Sequence, residues 1–209
     1  MWRVLTASMI AAAACGFADL AQAQTAQPAP KAAAKPAAAA KTAAKPESKP
    51  VAPLAAVAGG AEPTLIGQFG TWGAYSAAPN GKKVCFALAK PSASKTNPPN
   101  RPRDPAYAFV STRPSEKVNN EVSVMIGYTL KPGSESTLEV GGASFAMYTQ
   151  GDGLWIKNAA EEERMVEAMR KSADLVVKGV SAKGTETTDT FSLKGLAQAL
   201  DRIAQDCRR

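Results

Sequence analysis

Histidine is absent from all 209 residues of this chain. Without an imidazole there is no Ser-His or Cys-His nucleophile pair, and no histidine-containing metal site. Cysteine is scarce, with three residues at positions 15, 85 and 207. Three thiols cannot supply the four ligands of an all-cysteine zinc site, and none stands in a Cys-x-x-Cys redox pair. No metal and no other cofactor is expected. Aromatic residues are nearly missing before Thr64, where only Trp2 and Phe17 occur. No apolar run after the first two dozen residues is long enough to span a bilayer as a helix.

These gaps narrow the catalytic options. The run Ser111-Thr112-Arg113 offers hydroxyls but no positioned base, which a serine nucleophile requires. Gly151-Asp152-Gly153 has the glycines of a phosphate loop without the strand-loop-helix setting or a following Lys-Ser/Thr, and reads as a hairpin turn. Glu161, Glu162 and Glu163 project in different directions around a helix and suit its positive end better than a cation. The chain is therefore not read as an enzyme. The rival reading is an envelope glycan hydrolase with two carboxylates across a cleft, drawn from Asp104, Glu121 and Asp152. A purely structural envelope spacer is a third.

What is present divides into three parts. In residues 1–23, Arg3 precedes an apolar stretch from Val4 to Ala14, and Ala21-Gln22-Ala23 supplies the small residues of a signal-peptidase site. Cleavage is expected before Gln24, with export of the remainder from the cytoplasm. The competing processing site is Ala12-Ala13-Ala14-Cys15-Gly16, with Cys15 lipidated. If Cys15 leaves with the signal, Cys85 and Cys207 are the remaining thiols, and an oxidising compartment pairs them.

Residues 24–62 form an Ala/Pro/Lys-rich linker with prolines at 28, 30, 36, 46, 50 and 53. Each proline removes a backbone donor and biases its predecessor to extended geometry, so a disordered tether is expected. Five lysines against Glu47 and Glu62 give this segment +3, and 19 basic against 15 acidic residues give residues 63–209 +4. That balance suits an anionic envelope polymer or nucleic acid, and an export signal argues against the latter.

Residues 63–209 read as one β-rich domain, a β-sandwich or strongly curved antiparallel sheet with one or two packed helices. Leu65 to Ser76 is expected as one bent strand. Val84, Phe86 and Leu88 alternate with Cys85, Ala87 and Ala89, and Ala106 to Thr112 is apolar on both faces. Glu121 to Leu130 reads as a single strand. Gly141-Gly142 marks a hairpin between 137–140 and 144–149, and further strands are expected at 154–156, 174–180 and 187–191. Asn158 caps a helix whose stripe is Met165, Val166 and Met169. A last helix opens after Ser192 and buries Leu193, Leu196, Leu200, Ile203 and Cys207.

Two surface features are candidates for contact. The segment from Lys90 to Arg103 carries Lys90, Lys95, Arg101 and Arg103 with no acid until Asp104; its four prolines suggest an irregular, exposed binding loop. Trp72, Tyr75 and Trp155 could stack on a sugar, although such rings also commonly fill cores.

Several stretches together, LIGQFGTWGAYSA (65–77), KVCFALAKP (83–91), RDPAYAFVSTRP (103–114), NEVSVMIGY (120–128), FAMYTQGDGLWIKNAAEEERMVEAMRKSADLVVKG (145–179) and TDTFSLKGLAQALDRIAQDC (188–207), resemble the invasion-associated locus B family of Gram-negative bacteria. The likeness covers the domain and none of the linker. It implies an exported envelope protein, periplasmic or surface-associated, that supports host-cell invasion or a general envelope function. It brings no catalytic motif. The expected function is thus a non-enzymatic binding module.

Overall fold

The computed structural model describes residues 58–208; the signal segment and most of the linker lie outside them. Among the described residues, eleven strands form one open antiparallel sheet. They are β1 (Thr64–Phe69), β2 (Trp72–Ala77), β3 (Val84–Ala89), β4 (Ala93–Asn97), β5 (Tyr107–Arg113) and β6 (Val118–Met125), then β7 (Ser136–Val140), β8 (Ala143–Gln150), β9 (Gly153–Ile156), β10 (Asp174–Val180) and β11 (Glu186–Ser192). Their spatial order is β1-β2-β3-β5-β6-β9-β8-β7-β10-β11-β4. Two helices, α1 (Glu162–Lys171) and α2 (Leu196–Cys207), complete the fold. The architecture is the curved antiparallel sheet with packed helices that the alternation implies.

The alternation also sets the two faces. Cys85, Ala87 and Ala89 of β3 and Val122 and Val124 of β6 turn inward, joined by Leu138, Phe145, Leu154, Val177 and Phe191 from strands further along the sheet. One apolar cluster collects side chains from β2 to β11 and from both helices, so the sheet curls around its own core. The curl brings distant strands together: Trp72 Nε1 on β2 donates to Ser192 O at the end of β11, 2.9 Å away. On the opposite face Val84, Phe86, Leu88, Tyr107 and Phe109 form a second cluster, with Ala58 and Ala61 packed against it. Both faces of β3 and β5 are therefore dry.

Helix α2 carries Leu196, Leu200, Ile203 and Cys207 at spacings of four, three and four, which places them on one buried stripe. It packs on β1, β2, β3 and β5. There Cys207 meets Cys85 of β3 in a disulfide with 5.9 Å between Cα atoms and 122 residues between partners, the expected pairing. The helix starts three residues later than the sequence suggests. Gly195 has φ +95°, and a Cβ there would sit 2.0 Å from Phe69 O; this left-handed, crowded position turns the chain into the helix.

Helix α1 opens as expected on Asn158, whose Oδ1 accepts from Ala160 N at 3.2 Å, through one turn of 3-10 helix. The second glutamate of the acidic run also ties the helix to the sheet, because Glu162 Oε1 accepts from Val122 N on β6 at 2.9 Å. Burial, the largest influence, raises the Glu162 pKa above its ordinary value of 4.5; the Val122 N–H opposes the rise, Glu121 adds to it and Arg113 offsets it. The native state therefore holds this proton more tightly than the unfolded chain. The stability from this group is complete below the ordinary value and is lost as pH rises through the raised folded value. Glu162→Gln keeps an acceptor for Val122 and should remove that slope. Urea unfolding between about pH 4 and pH 8 checks it, and an unchanged slope in the variant would refute the assignment.

Three departures from the sequence reading bear on the site. Residues 65–76 are two strands: Phe69 pairs with Trp72 across a Gly70-Thr71 turn. Strand β6 ends at Met125, and Gly127 (φ +79°) turns the chain so that Tyr128 and Leu130 lie beyond the strand. The segment from Lys90 to Arg103 is not irregular throughout. Ala93–Asn97 forms β4, an edge strand paired in register with β11 from Thr190↔Ala93 to Glu186↔Asn97.

Candidate functional site

The basic residues read from the sequence have different fates. Lys90 is exposed, with its ammonium 5.6 Å from the centre of the Tyr107 ring. Lys95 stands exposed on β4, and Arg101 is exposed in the loop that follows, where its N–H donates to Thr96 Oγ1 at 3.2 Å. Arg103 is not a free surface cation. Its guanidinium clamps the carboxylate of Asp189, a β11 side chain with 0% exposure, through both nitrogens; Nη1 reaches Oδ2 at 2.7 Å. It also donates to Ile126 O at 3.0 Å and to Ser94 Oγ at 3.1 Å. The clamp joins β4, β11 and the end of β6, and fixes the loop that carries Arg101.

The aromatic candidates do not converge. Trp72 is fully buried in the core. Tyr75 is half-buried and stacks on Phe86 with ring centres 5.4 Å apart. Trp155 is half-buried against the exposed Tyr148 on the neighbouring strand, at 5.6 Å. The carboxylates are dispersed as well. Glu121 is paired with Arg113 at 3.0 Å, while Asp104 and Asp152 sit on exposed turns held through their main chains to Gly127 and Ile126.

What the structure brings together is a cleft of about 470 Å³ beside the Arg103–Asp189 clamp. One wall is Thr96 of β4 with Arg101 and Pro102; the other is Tyr128, Thr129 and the β10–β11 turn from Ser181 to Thr187. The turn is pinned to the opposite segment by Ala182 N donating to Thr129 O at 2.9 Å, and braced by Thr185 N donating to Ser181 Oγ at 3.0 Å. Tyr128 reaches its place because β10 has a glycine below it: a Cβ at Gly179 would lie 3.0 Å from the Tyr128 hydroxyl. That hydroxyl shares a hydrogen bond of 2.7 Å with Thr187 Oγ1. Burial, the leading cause, raises the Tyr128 pKa above that of a free phenol, so Tyr128 presents a neutral hydroxyl.

The electrostatics of the cleft are one-sided. Arg101 and Lys183 are exposed on its lining, Arg103 is neutralised by Asp189, and no lining residue carries a carboxylate. The nearby Glu186 accepts from Asn97 Nδ2 at 3.1 Å. A second depression, about 520 Å³, adjoins the first and shares Thr96, Arg101 and Arg103 with it; Lys95 and Asn100 line its far side. Sequence reasoning found Lys95 and Arg101 but missed the opposite wall. Its signal was Asp189, an acid in the inward phase of Thr187, Asp189 and Phe191, since a charge in that phase requires a partner.

Fold and site together define a small, disulfide-closed antiparallel-sheet module that presents a cationic, hydroxyl-lined cleft. The family comparison gives the module its place. Residues 72–204 match the family described as invasion associated locus B (IalB) protein, and the chain belongs to that family. Among solved structures, the invasion associated protein B from Bartonella henselae is similar, with a TM-score of 0.50 at 18% identity, over 69% of this chain and 98% of that one. At that identity the likeness is one of fold. No curated protein sequence matches this chain. Among the described residues no helix is long and apolar enough to cross a membrane.

Proposed function

We propose that this chain is an exported envelope protein that acts by contact, holding an anionic polymer of the envelope or a host surface in the Arg101–Lys183 cleft. The observation that carries this reading is the lining itself: two exposed cations among hydroxyls, with no carboxylate to oppose an anion. The signal-peptide pattern of residues 1–23 supports export, and membership of the invasion-associated family supports a surface role. Non-enzymatic action fits the lack of histidine and the dispersal of Asp104, Glu121 and Asp152.

The test is binding of the mature protein to an immobilised anionic polysaccharide. Replacing Lys95, Arg101 and Lys183 by glutamine should weaken retention at least about tenfold, and added salt should do the same, because exposed charges are screened over about 10 Å at 0.1 M. Arg103 is left out because its loss would perturb the fold. Retention indifferent to both changes would overturn the proposal. Protease treatment of intact cells, with fractionation, separates a surface location from a periplasmic one.

A further inference from the structure

Resting on the cleft as the contact site, we infer that its ligand is an acidic polysaccharide, with one chain lying across both depressions and Arg101 between them. The lining chemistry distinguishes this from anion binding in general. The same lining carries Thr96, Thr129, Ser181 and Thr185, whose small neutral groups can both donate and accept. A bare polyphosphate would need cations and would leave most of these hydroxyls unused. A sugar chain with occasional acid groups matches both sets.

The arrangement of the two depressions also suits a chain. Lys183 belongs to the first depression, Lys95 to the second, and Arg101 to both. The cations are thus divided between two adjoining depressions that share Arg101, and hydroxyls line both. Each depression falls within the roughly 300–1,000 Å³ typical of small-ligand sites, so the pair suits several sugar units. Single-stranded nucleic acid is less suited, because its binding relies on exposed rings for base stacking. The ring on the lining is Tyr128, half-buried and hydrogen-bonded to Thr187. An acidic peptide adding to the free edge of β4 is the competing occupant.

Isothermal titration of the mature protein with a galacturonate hexamer tests the inference, against the galacturonate trimer, maltohexaose, polyphosphate and a poly-glutamate peptide. The hexamer should bind about tenfold more tightly than the trimer, and maltohexaose more weakly still. Thr129→Val with Thr185→Val, two exposed or half-exposed positions, should weaken the hexamer about tenfold while changing polyphosphate binding less than about twofold. Arg101→Ala should weaken both ligands, and unchanged melting of each variant confirms an intact fold. Polyphosphate binding as tightly as the hexamer, with no effect of the threonine variants, would overturn the polysaccharide assignment and leave the anion cleft standing. Preference for poly-glutamate would replace it with strand addition at β4. Failure of every polyanion to bind would overturn the cleft reading itself.

Discussion

Cys207→Ser should lower the melting temperature of the domain by on the order of 10 °C, and reduction of the unmodified protein should do the same. The bridge spans 122 residues, so in the unfolded chain it closes nearly the whole domain into one loop. Chain-entropy arguments give about 5 kcal/mol for a loop of that size, and loss of a native bridge usually costs about 2–5 kcal/mol. A domain of this size has only about 5–15 kcal/mol of total stability. The damage should be local before it is global. Without the bridge, α2 is held by its apolar stripe and by contacts such as Arg202 Nε donating to Ile66 O at 3.1 Å. Hydrogen exchange should therefore accelerate across Leu196–Cys207 ahead of β3 and β5. A variant melting within a degree or two of the parent would refute this.

Arg103→Gln should destabilise the domain by about 3–5 kcal/mol, as is usual when one partner of a buried ion pair is removed. The reason is Asp189, which has no exposure and would lose the guanidinium that pairs with its carboxylate. The pair itself need not be favourable relative to a dry replacement. The double variant Arg103→Met with Asp189→Leu should therefore recover much of the loss, leaving a large coupling between the two sites. Denaturant unfolding of the parent, Arg103→Met, Asp189→Leu and the double variant measures it; additive effects would show that the two side chains do not depend on each other. Arg103→Gln should also release the loop that carries Arg101, and so weaken the proposed polymer binding.

How much of this was legible in the sequence depended on whether local pattern decided the outcome. The period-two alternation of Val84–Ala89 and Val122–Ile126 identifies the strands and sorts their side chains between the two faces of the sheet. The spacing of Leu196, Leu200, Ile203 and Cys207 determines the last helix in the same way. The Gly70-Thr71 hairpin was obscured because glycines and aromatics alternate through both strands and no polar cluster marks the turn. Strand β4 was illegible for a different reason. Ala93, Ser94, Lys95, Thr96 and Asn97 have little side-chain preference for a sheet, and the strand exists because β11 offers it a hydrogen-bonding edge. The cleft was half legible for the same reason: its basic wall is one continuous segment, whereas Tyr128, Thr129 and Lys183 arrive from elsewhere in the fold.

The strand order also gives the sheet a timetable. In a chain that appears N-terminus first, β1, β2 and β3 can pair at once, and β5 and β6 add to them in sequence. Strand β4 emerges among these but has no partner until β11, some ninety residues later. An apolar strand left waiting that long would invite pairing with neighbouring copies. One reading Ala-Ser-Lys-Thr-Asn does not, because a lysine and short polar side chains make a poor template for aggregation. Its blandness is thus a safeguard during assembly, and the same polar edge later serves as one bank of the cleft.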